Sequence, residues 1–241
     1  LIDLSPYKFR GPGGKGESEP WVHVVPIPDT YREGERDFAA EMGEVVSDAA
    51  PIAGFLVESM LSCAGQIPLP PGYLTAVFEH VRAAGGLCIA DEVQVGFGRV
   101  GSHMWAFEEH GVVPDIVVMG KPMGNGHPMA AVFTTPEIAA SFEEMEFFST
   151  FGGNPVSCAI GMAVLDTIEE DGLMQRATEL GERFMVGLRE LQERYSIIGD
   201  VRGRGLFLGF ELVRDRETQE PATEEAARLV DEMCARNVLL S

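Results

Sequence analysis

The sequence predicts an α/β protein whose sheet is mostly parallel over the first two thirds of the chain. Short apolar runs alternate with stretches of helical periodicity up to about residue 165. The runs are continuous rather than alternating, as in strands that are covered on both faces. Beyond that point a long helix, two strands and another helix predict a smaller α+β lobe.

Each predicted element has its own local signal. The run Ile52–Val57 is typical of a buried strand. Apolar residues recur at helical spacing over 74–81, and two glycines follow, so a helix is predicted there. Asn154 before Pro155 is typical of a helix start, with a capping side chain and a proline at the first position. After a Gly- and Pro-rich loop region at residues 1 to about 35, the predicted elements are strand Ile52–Val57, helix Gly72–Ala84, strands Leu87–Ala90, Asp115–Met119 and Met129–Thr134, helices near Pro155–Glu169 and Leu173–Tyr195, strands Ile197–Arg202 and Leu206–Val213, helix Ala222–Ala235 and strand Val238–Leu240.

These elements predict a division of the chain into three parts. Residues 1–165 are expected to be part of a large domain, 166–196 a connecting helix and 197–241 the start of a small C-terminal domain. The chain begins at Leu1 rather than at Met and ends within a predicted strand. We therefore expect it to be a segment of a longer protein.

The charge of the chain disfavours some classes of partner. Its 241 residues include 18 Lys and Arg against 38 Asp and Glu, a formal net charge of −20. Such a chain repels phosphate backbones and anionic lipid headgroups. No apolar run approaches the roughly 18 residues of a membrane-spanning helix. We expect a soluble protein that binds neither nucleic acid nor a membrane.

The cysteines and histidines predict no metal site. The four cysteines are widely spaced, form no CxxC pair and lie among apolar or small residues. They are predicted to be reduced, mostly buried thiols of a cytoplasmic protein, with disulfide or metal use as the alternative. The five histidines lack the spacing of metal ligands.

Lysine is rare in this sequence, and its distribution indicates one candidate functional residue. Beyond Lys15 the chain contains a single lysine, Lys121, directly after an apolar strand and among glycines that let a ligand approach the backbone. A partly desolvated lysine at a strand end can form a Schiff base with a carbonyl compound. A loop lysine that points into water is the alternative.

Two acids, Asp91 and Glu92, follow the predicted strand Leu87–Ala90, at the sheet edge where α/β proteins bind ligands. Asp91 is predicted to be a buried carboxylate that holds a cationic partner, and a capping or surface pair is the alternative. A nucleotide site is disfavoured because the phosphate-binding string G-x-x-x-x-G-K-[ST] is absent. The G-x-G-x-x-G pattern at Gly96–Gly101 also lacks its flanking strand and a clear helix.

Two further features complete the candidate site. Glu58 ends the strand Ile52–Val57. The segment Ser149–Gly153 places hydroxyl groups and glycines before a helix start, where free N–H groups and the helix dipole favour an anion. Ordinary capping explains Asn154 without any ligand, but it does not explain Thr150 and the glycine pair. A lysine, two strand-end acids and an anion-binding turn together suggest pyridoxal 5′-phosphate, a phosphorylated carbonyl cofactor.

The residues above occur in strings that resemble the class III, fold-type I aminotransferases, which depend on pyridoxal phosphate, and the resemblance covers essentially the whole chain. The matching strings are Glu58-Ser59, Asp91–Arg99, Pro114–Lys121 and Thr150–Pro155. Within this family the chain resembles the branch of alanine–glyoxylate aminotransferase 2 and ethanolamine-phosphate phospho-lyase. The strings that indicate the branch are Leu1–Phe9, Gly120–Pro128 and Asp200–Phe207.

The resemblance implies a fold and the roles of three residues. The fold is a mostly parallel, seven-stranded-type sheet in a cofactor-binding large domain, incomplete at its N-terminal side, with a partial α+β C-terminal lobe. Lys121 is expected to carry the internal aldimine and then to move the Cα proton of the substrate. Asp91 is expected to pair with the pyridine nitrogen and keep it protonated, and Glu58 is expected to lie next to Asp91.

The resemblance also assigns three residues to the rest of the cofactor. Val93 is expected to pack on the ring face, and Gln94 to hydrogen-bond the 3-oxygen of the ring. Thr150 is expected to reach the cofactor phosphate of the neighbouring subunit, which implies a homodimer.

The resulting hypothesis is an aminotransferase that moves an amino group from an amine or amino acid to a keto acid through a Lys121 Schiff base. One alternative is a phospho-lyase, which would use the same carbanion to expel phosphate from an O-phosphorylated amine. Another alternative is an inactive, truncated homologue that serves only in dimerisation. None of the residues named above separates the first two chemistries.

Overall fold

The computed structural model describes Leu4 and residues 17–34, 36–49 and 51–240. Residues 1–3 and 5–16 of the loop predicted over the first 35 residues, with Lys8 and Lys15, lie outside the described residues. The last part of that region departs from the prediction, because Thr30–Glu33 forms a helical turn. The turn begins at Asp29, whose side chain accepts a hydrogen bond from the backbone N–H of Tyr31 at 3.0 Å.

The described chain contains helices and strands in alternation, followed by an antiparallel lobe. The helices are α1 (Thr30–Glu33), α2 (Phe38–Ala49), α3 (Tyr73–Ala83), α4 (Pro136–Glu143), α5 (Pro155–Glu170), α6 (Leu173–Arg194) and α7 (Thr223–Cys234). The strands are β1 (Gly54–Glu58), β2 (Met60–Leu61), β3 (Ile67–Pro68), β4 (Leu87–Asp91), β5 (Ile116–Met119), β6 (Ala131–Thr134), β7 (Ile198–Arg204), β8 (Phe207–Asp215) and β9 (Glu220–Pro221). Short 3₁₀ helices cover Ala106–His110 and Lys121–Gly124.

The central sheet is mostly parallel, as predicted. Its described strands are in the order β1-β4-β5-β6, with β1, β4 and β5 parallel and β6 antiparallel at the edge. The register pairs Glu58 with Asp91 and Asp91 with Val118. The carboxyl ends of three neighbouring strands therefore meet at one edge of the sheet.

One face of this sheet is covered by α2 and α3. The α3 residues Leu74, Val77 and Val81 are fully buried, as their helical spacing predicts, and they pack in one cluster with Phe55 of β1 and Cys88 of β4. Burial of each such side chain contributes about 1.5–3 kcal/mol. The cluster fixes β1 and β4 relative to each other, and so fixes the edge at which Glu58 and Asp91 end.

Helix α2 is absent from the predicted elements, although its signal is present in the sequence. Phe38, Met42 and Val46 recur every fourth residue, and all three are buried in the cluster with α3. The β2–β3 hairpin and α4 are also additions to the predicted set. The hairpin follows β1 directly and contacts β7, so it joins the sheet edge to the C-terminal lobe.

The C-terminal lobe is an antiparallel sheet in the order β7-β8-β9, packed against α6 and α7. The predicted strand pair and the final helix are therefore present. The strand predicted at Val238–Leu240 is wrong, because these residues are irregular and no described strand pairs with them. The predicted boundary at residue 165 falls inside α5, and Gly172 separates α5 from α6 at a φ of 59°. The division into domains stays a prediction.

The glycine pattern at Gly96–Gly101 serves packing in this structure. Gly98 and Gly101 have φ angles of 74° and 83°, which favour glycine. A Cβ atom on either residue would collide with α6, at Met174 and Thr178 respectively. The segment lies directly under the helix, so its glycines are explained without a nucleotide.

The four cysteines are free thiols, but three of them are exposed. The expectation of mostly buried thiols is therefore wrong for Cys63, Cys158 and Cys234, which lie in a turn or on helix surfaces. Cys88 is buried in the core, and this burial raises the pKa of its thiol to about 11.

Candidate active site

The candidate site lies at the carboxyl edge of β1, β4 and β5. Glu58 and Asp91 are the last residues of their strands and are register partners. Lys121 follows β5 after a single glycine, and Val118 of β5 is the register partner of Asp91. The topology therefore brings the predicted lysine and both predicted carboxylates to one edge.

Lys121 lies in an unusual backbone conformation at this edge. Its φ is 36°, in the left-handed region that a non-glycine residue occupies at a cost of about 1–3 kcal/mol. The backbone N–H of Met123 donates to the carbonyl of Gly120 at 3.0 Å and closes the turn. The Nζ of Lys121 donates to Oε1 of Gln94. The lysine is exposed rather than partly desolvated, which corrects the expectation from its strand-end position.

Asp91 and Val93 lie beside this lysine. Oδ1 of Asp91 accepts a hydrogen bond from the backbone N–H of Val93 at 3.0 Å, and the carboxylate is half-buried. A Cβ atom built on Gly120 would lie 3.5 Å from the Cγ1 of Val93. The isopropyl group of Val93 therefore stands next to the glycine that precedes Lys121. Asp91, Val93, Gln94 and Lys121 form one group of neighbours.

Glu92 has a different role from its neighbour Asp91. It is fully buried, and its two carboxylate oxygens accept from the backbone N–H groups of Ala106 at 2.8 Å and Phe107 at 3.0 Å. These two donors lie at the start of the 3₁₀ helix Ala106–His110. The side chain of Trp105, the residue before this helix, does not cap them. Burial raises the pKa of the Glu92 carboxyl, and the two N–H groups oppose that effect. This role of Glu92 is not predicted from the sequence, because its donors lie 14 and 15 residues further along the chain.

Glu58 is held by its own strand end rather than by Asp91. Its Oε2 accepts from the backbone N–H of Ser62 at 2.6 Å, and its Oε1 accepts from the Ser62 hydroxyl at 2.5 Å. Within the described residues, no hydrogen bond joins Glu58 to Asp91. The predicted neighbourhood of the two acids therefore rests on the strand register.

Thr150 lies apart from this group. All residues from 141 to 153 are exposed, and within the described chain Thr150 makes no hydrogen bond to the strand-end residues. The neighbouring turn is ordered by Ser149, whose Oγ accepts from the N–H of Gly152 at 3.0 Å. Asn154 caps α5 by accepting from the N–H of Ser157 at 2.9 Å, as predicted. Large exposed apolar side chains accompany the segment, namely Phe142, Met145, Phe147, Phe148 and Phe151.

The described residues form neither a membrane span nor a metal cluster. Among residues 17–34, 36–49 and 51–240, no helix is long and apolar enough to cross a membrane. In the same part of the chain, no group of three His, Cys, Asp or Glu side chains is placed to hold a metal ion.

Comparisons of the sequence with known proteins agree with the residues at this edge. The family described as aminotransferase class-III matches residues 13–236. A fruit fly protein named alanine–glyoxylate aminotransferase 2-like is 49% identical over 97% of the chain and 50% of its own length. The human mitochondrial alanine–glyoxylate aminotransferase 2 is 49% identical over 98% of the chain and 48% of its own. A nematode ethanolamine-phosphate phospho-lyase homologue is 42% identical over 91% of the chain and 52% of its own length.

Solved structures give the same result. An Arthrobacter phospholyase in complex with phosphoethanolamine superposes with a TM-score of 0.88 and 39% identity, over 97% of this chain and 58% of that one. An ornithine aminotransferase from Toxoplasma gondii is described with partial occupancy of PLP at its active site. It superposes with a TM-score of 0.79 and 28% identity, over 94% of this chain and 49% of that one. The chain spans about half the length of the curated relatives it matches.

Proposed function

The chain belongs to the class-III aminotransferase family, and on that basis we propose that it supplies the lysine-bearing part of a pyridoxal-phosphate-dependent aminotransferase. The enzyme would move an amino group from an amine or amino acid to a keto acid. The observation that carries this proposal is the contact between the amine of Lys121 and Gln94, beside the strand end that bears Asp91.

The residues at this edge fit the chemistry of the cofactor. Within the described chain, Asp91 accepts one hydrogen bond, at Oδ1, so Oδ2 is available to a protonated ring nitrogen. Gln94 offers an amide for a ring oxygen, and Lys121 offers an exposed amine for a carbonyl carbon. Gly120 carries no side chain beside Val93, which leaves an apolar surface next to the lysine.

Pyridoxal 5′-phosphate, when bound, supplies an electron sink for the pair released as a substrate Cα–H bond breaks. Asp91 would hold a proton on the ring nitrogen and so favour that electron flow. Lys121 would take the proton from Cα and return it to the neighbouring carbon of the cofactor. Val93 would exclude water from one side of the lysine, and Gln94 would orient its amine before the substrate arrives.

A phospho-lyase is the second candidate. The Arthrobacter phospholyase that superposes at a TM-score of 0.88 is described in complex with phosphoethanolamine, and the nematode relative bears a phospho-lyase name. Lys121 and Asp91 would act in the same way in both enzymes, because both reactions begin with loss of the Cα proton. The two chemistries diverge at Cβ, where a lyase substrate carries the phosphate that leaves.

One experiment separates the two candidates. A form of the protein as long as its relatives would be purified with cofactor and given phosphoethanolamine without any keto acid. Free phosphate with an unchanged cofactor absorbance band would establish the lyase. With alanine as donor, conversion of that band to the pyridoxamine form without phosphate release from phosphoethanolamine would establish the aminotransferase. If the protein neither releases phosphate nor converts the band, both candidates are contradicted.

We further propose a homodimer in which Thr150 serves the cofactor phosphate of the neighbouring subunit. This is supported by the exposure of every residue from 141 to 153 and by the exposed aromatic side chains around Thr150, with Phe148 at 85% and Phe151 at 82%. Phe148→Glu should therefore weaken the dimer, measured by sedimentation at a series of protein concentrations. An unchanged dimer in that variant would remove the segment from the interface.

The cytoplasmic location and the domain boundaries at residues 165 and 196 stay predictions. The human relative is mitochondrial by name, whereas the name of the fruit fly relative gives no compartment. Fractionation of cells that express a tagged form of the protein would decide the location.

A further inference from the structure

Two turns of the candidate site rest on the same end of α5. The turn that carries Thr150 leads directly into Asn154, the capping residue of this helix. The turn that begins at Lys121 leads to His127, whose Nε2 lies 2.8 Å from the Oγ of Ser157 in the first turn of α5. One short helical segment therefore contacts both turns.

A second contact joins the lysine turn to α5 one helical turn further along. A Cβ atom on Gly161 would lie 2.9 Å from the Cε of Met129, so the glycine makes room for that side chain. Gly161 is the one residue of α5 that is buried. The apolar contact and the hydrogen bond place residues 127–129 along one side of the helix.

The hydroxyl of Ser157 also contacts the capping residue of α5. Nδ2 of Asn154 donates to the Ser157 hydroxyl oxygen at 2.9 Å. That oxygen has a second lone pair as well as a proton, so the hydroxyl binds Nε2 of His127 at the same time, and the tautomer of the imidazole sets which of the two groups donates. His127, Ser157 and Asn154 thus form a continuous chain of hydrogen bonds to the cap of α5.

The lysine turn needs such support because its backbone is strained. Lys121 and Asn125 both have positive φ angles, 36° and 44°, which persist only where neighbouring contacts enforce them. Consecutive backbone bonds link the turn, and the last of them runs from the N–H of His127 to the carbonyl of Gly124 at 2.9 Å. Among described residues from 122 to 128, His127 alone contributes a side-chain hydrogen bond to another element.

We propose that His127 is a positioning residue, which through Ser157 fixes the strained Lys121 turn to the same helix end that holds the Thr150 turn. The inference rests on the proposed function, in which Lys121 binds the cofactor. Loss of the contact would let the turn relax and move the Lys121 amine away from Gln94. In a dimer, the same contact would link the lysine of one site to the threonine that serves the other.

Four variants test this role. His127→Ala and Ser157→Ala each remove one partner of the contact. His127→Gln retains an amide that can reach the position of Nε2, so it should restore the contact. His103→Ala is the matched control, because His103 makes a similar contact to Ser102 at 3.0 Å on a loop outside the site.

The first readout needs no cofactor. Hydrogen exchange of the backbone N–H groups of Met123, Asn125 and His127 should accelerate about tenfold in the alanine variants of His127 and Ser157. It should be unchanged in His103→Ala and close to wild type in His127→Gln. The double variant His127→Ala/Ser157→Ala should be no faster than either single variant, because both remove the same contact.

The second readout follows the cofactor. Covalent capture of pyridoxal phosphate by the cofactor-free protein, monitored by visible absorbance, should slow about tenfold in His127→Ala and Ser157→Ala, with kcat lowered and KM nearly unchanged. Thr150→Ala should show the opposite pattern, with weaker cofactor retention and an unchanged rate of capture. The two turns would then be distinguished by their kinetics.

Unchanged exchange and unchanged capture in His127→Ala would overturn the proposal, even if the melting temperature falls. An effect of His127→Ala without a matching effect of Ser157→Ala would also overturn it, because the route through Ser157 would be wrong. If the wild-type protein captures no cofactor, the proposed function fails, and the exchange measurement still decides whether His127 fixes the turn.

Discussion

The strand-end edge and the exposed segment at residues 141–153 differ in how their side chains are held. At the edge, the side chains of Asp91, Glu92 and Lys121 are each bound to another group of the same chain. In the segment, every residue is exposed, and Phe148 and Phe151 present most of their side chains to solvent. The edge is built by the fold of one chain, whereas the segment presents its groups outward.

This difference predicts which property each residue controls. Substitutions at the edge should change chemistry or folding, because they remove groups that the chain itself has placed. Substitutions in the segment should change cofactor retention or assembly and leave the fold nearly intact.

The largest effect is expected for Lys121→Ala. The variant should lose the covalent bond to the cofactor, and its turnover should fall by at least about 10³-fold, because Lys121 is the group proposed to move the Cα proton. Visible absorbance and steady-state kinetics measure the two losses. A retained band of lysine-bound cofactor would contradict the assignment, and Lys15→Ala serves as the matched lysine control.

A smaller loss is expected for Asp91→Asn. The amide no longer stabilises a proton on the ring nitrogen, so turnover should fall by about 10²-fold or more while cofactor stays bound. The substrate deuterium isotope effect on Cα should rise, because proton removal becomes slower than the other steps. Near-normal turnover in this variant would show that Asp91 does not hold the ring nitrogen.

Glu92 tests the edge as a folding element. Glu92→Ala leaves the N–H groups of buried Ala106 and half-buried Phe107 without their acceptor. The loss at Ala106 alone should lower the free energy of unfolding by about 1–3 kcal/mol. Urea unfolding of the variant gives the value. Glu108→Ala is the matched control on the same 3₁₀ helix, since Glu108 binds the N–H of Trp105 at an exposed site, and it should change stability by less than about 1 kcal/mol. If both variants lower the free energy of unfolding equally, Glu92 contributes no more to folding than an exposed acceptor does.

Glu92 also predicts a pH dependence of stability. Burial raises the pKa of its carboxyl above the ordinary value of 4.5, so the folded protein retains this proton where the unfolded chain has lost it. The contribution to unfolding free energy should therefore fall as pH rises from about 4.5 through the folded pKa, and then remain constant. The difference between wild type and Glu92→Gln isolates this contribution, and a difference that is independent of pH would contradict it.

The smallest effect is expected in the exposed segment. Thr150→Ala should weaken cofactor retention by about 1–3 kcal/mol, as for a lost charge-assisted hydrogen bond, with an unchanged melting temperature of the cofactor-free protein. Equilibrium dialysis of the cofactor measures the loss. Ser141→Ala, at an equally exposed position, should leave retention unchanged. If Thr150→Ala also retains its cofactor, Thr150 has only a local role in the turn before α5.

The residues that sequence alone could predict are those with a local signal. Lys121 and Asp91 follow apolar runs directly, so their place at the sheet edge follows from the strand assignment. The capping role of Glu92 depends on donors at Ala106 and Phe107, which are brought to it by the fold and not by sequence spacing. One feature of the 3₁₀ helix indicates that its donors need an acceptor from elsewhere. Trp105, the residue before it, makes no capping hydrogen bond with its side chain.

Secondary structure shows the same limit. Helix α2 could have been predicted from Phe38, Met42 and Val46, because apolar residues four positions apart are typical of one helix face. The strand expected at Val238–Leu240 has the right residues but forms no ladder, because a strand needs a paired neighbour and none of the described strands provides one. Apolar composition therefore predicts the propensity for a strand, whereas pairing decides whether it forms.

The most direct test of the central claim is to identify the residue that carries the cofactor. The protein, in a form as long as its relatives, would be loaded with pyridoxal 5′-phosphate, reduced with borohydride, digested and mapped by mass spectrometry. The account predicts a stable pyridoxyl group on Lys121. A modification on any other lysine, or none at all, would contradict it.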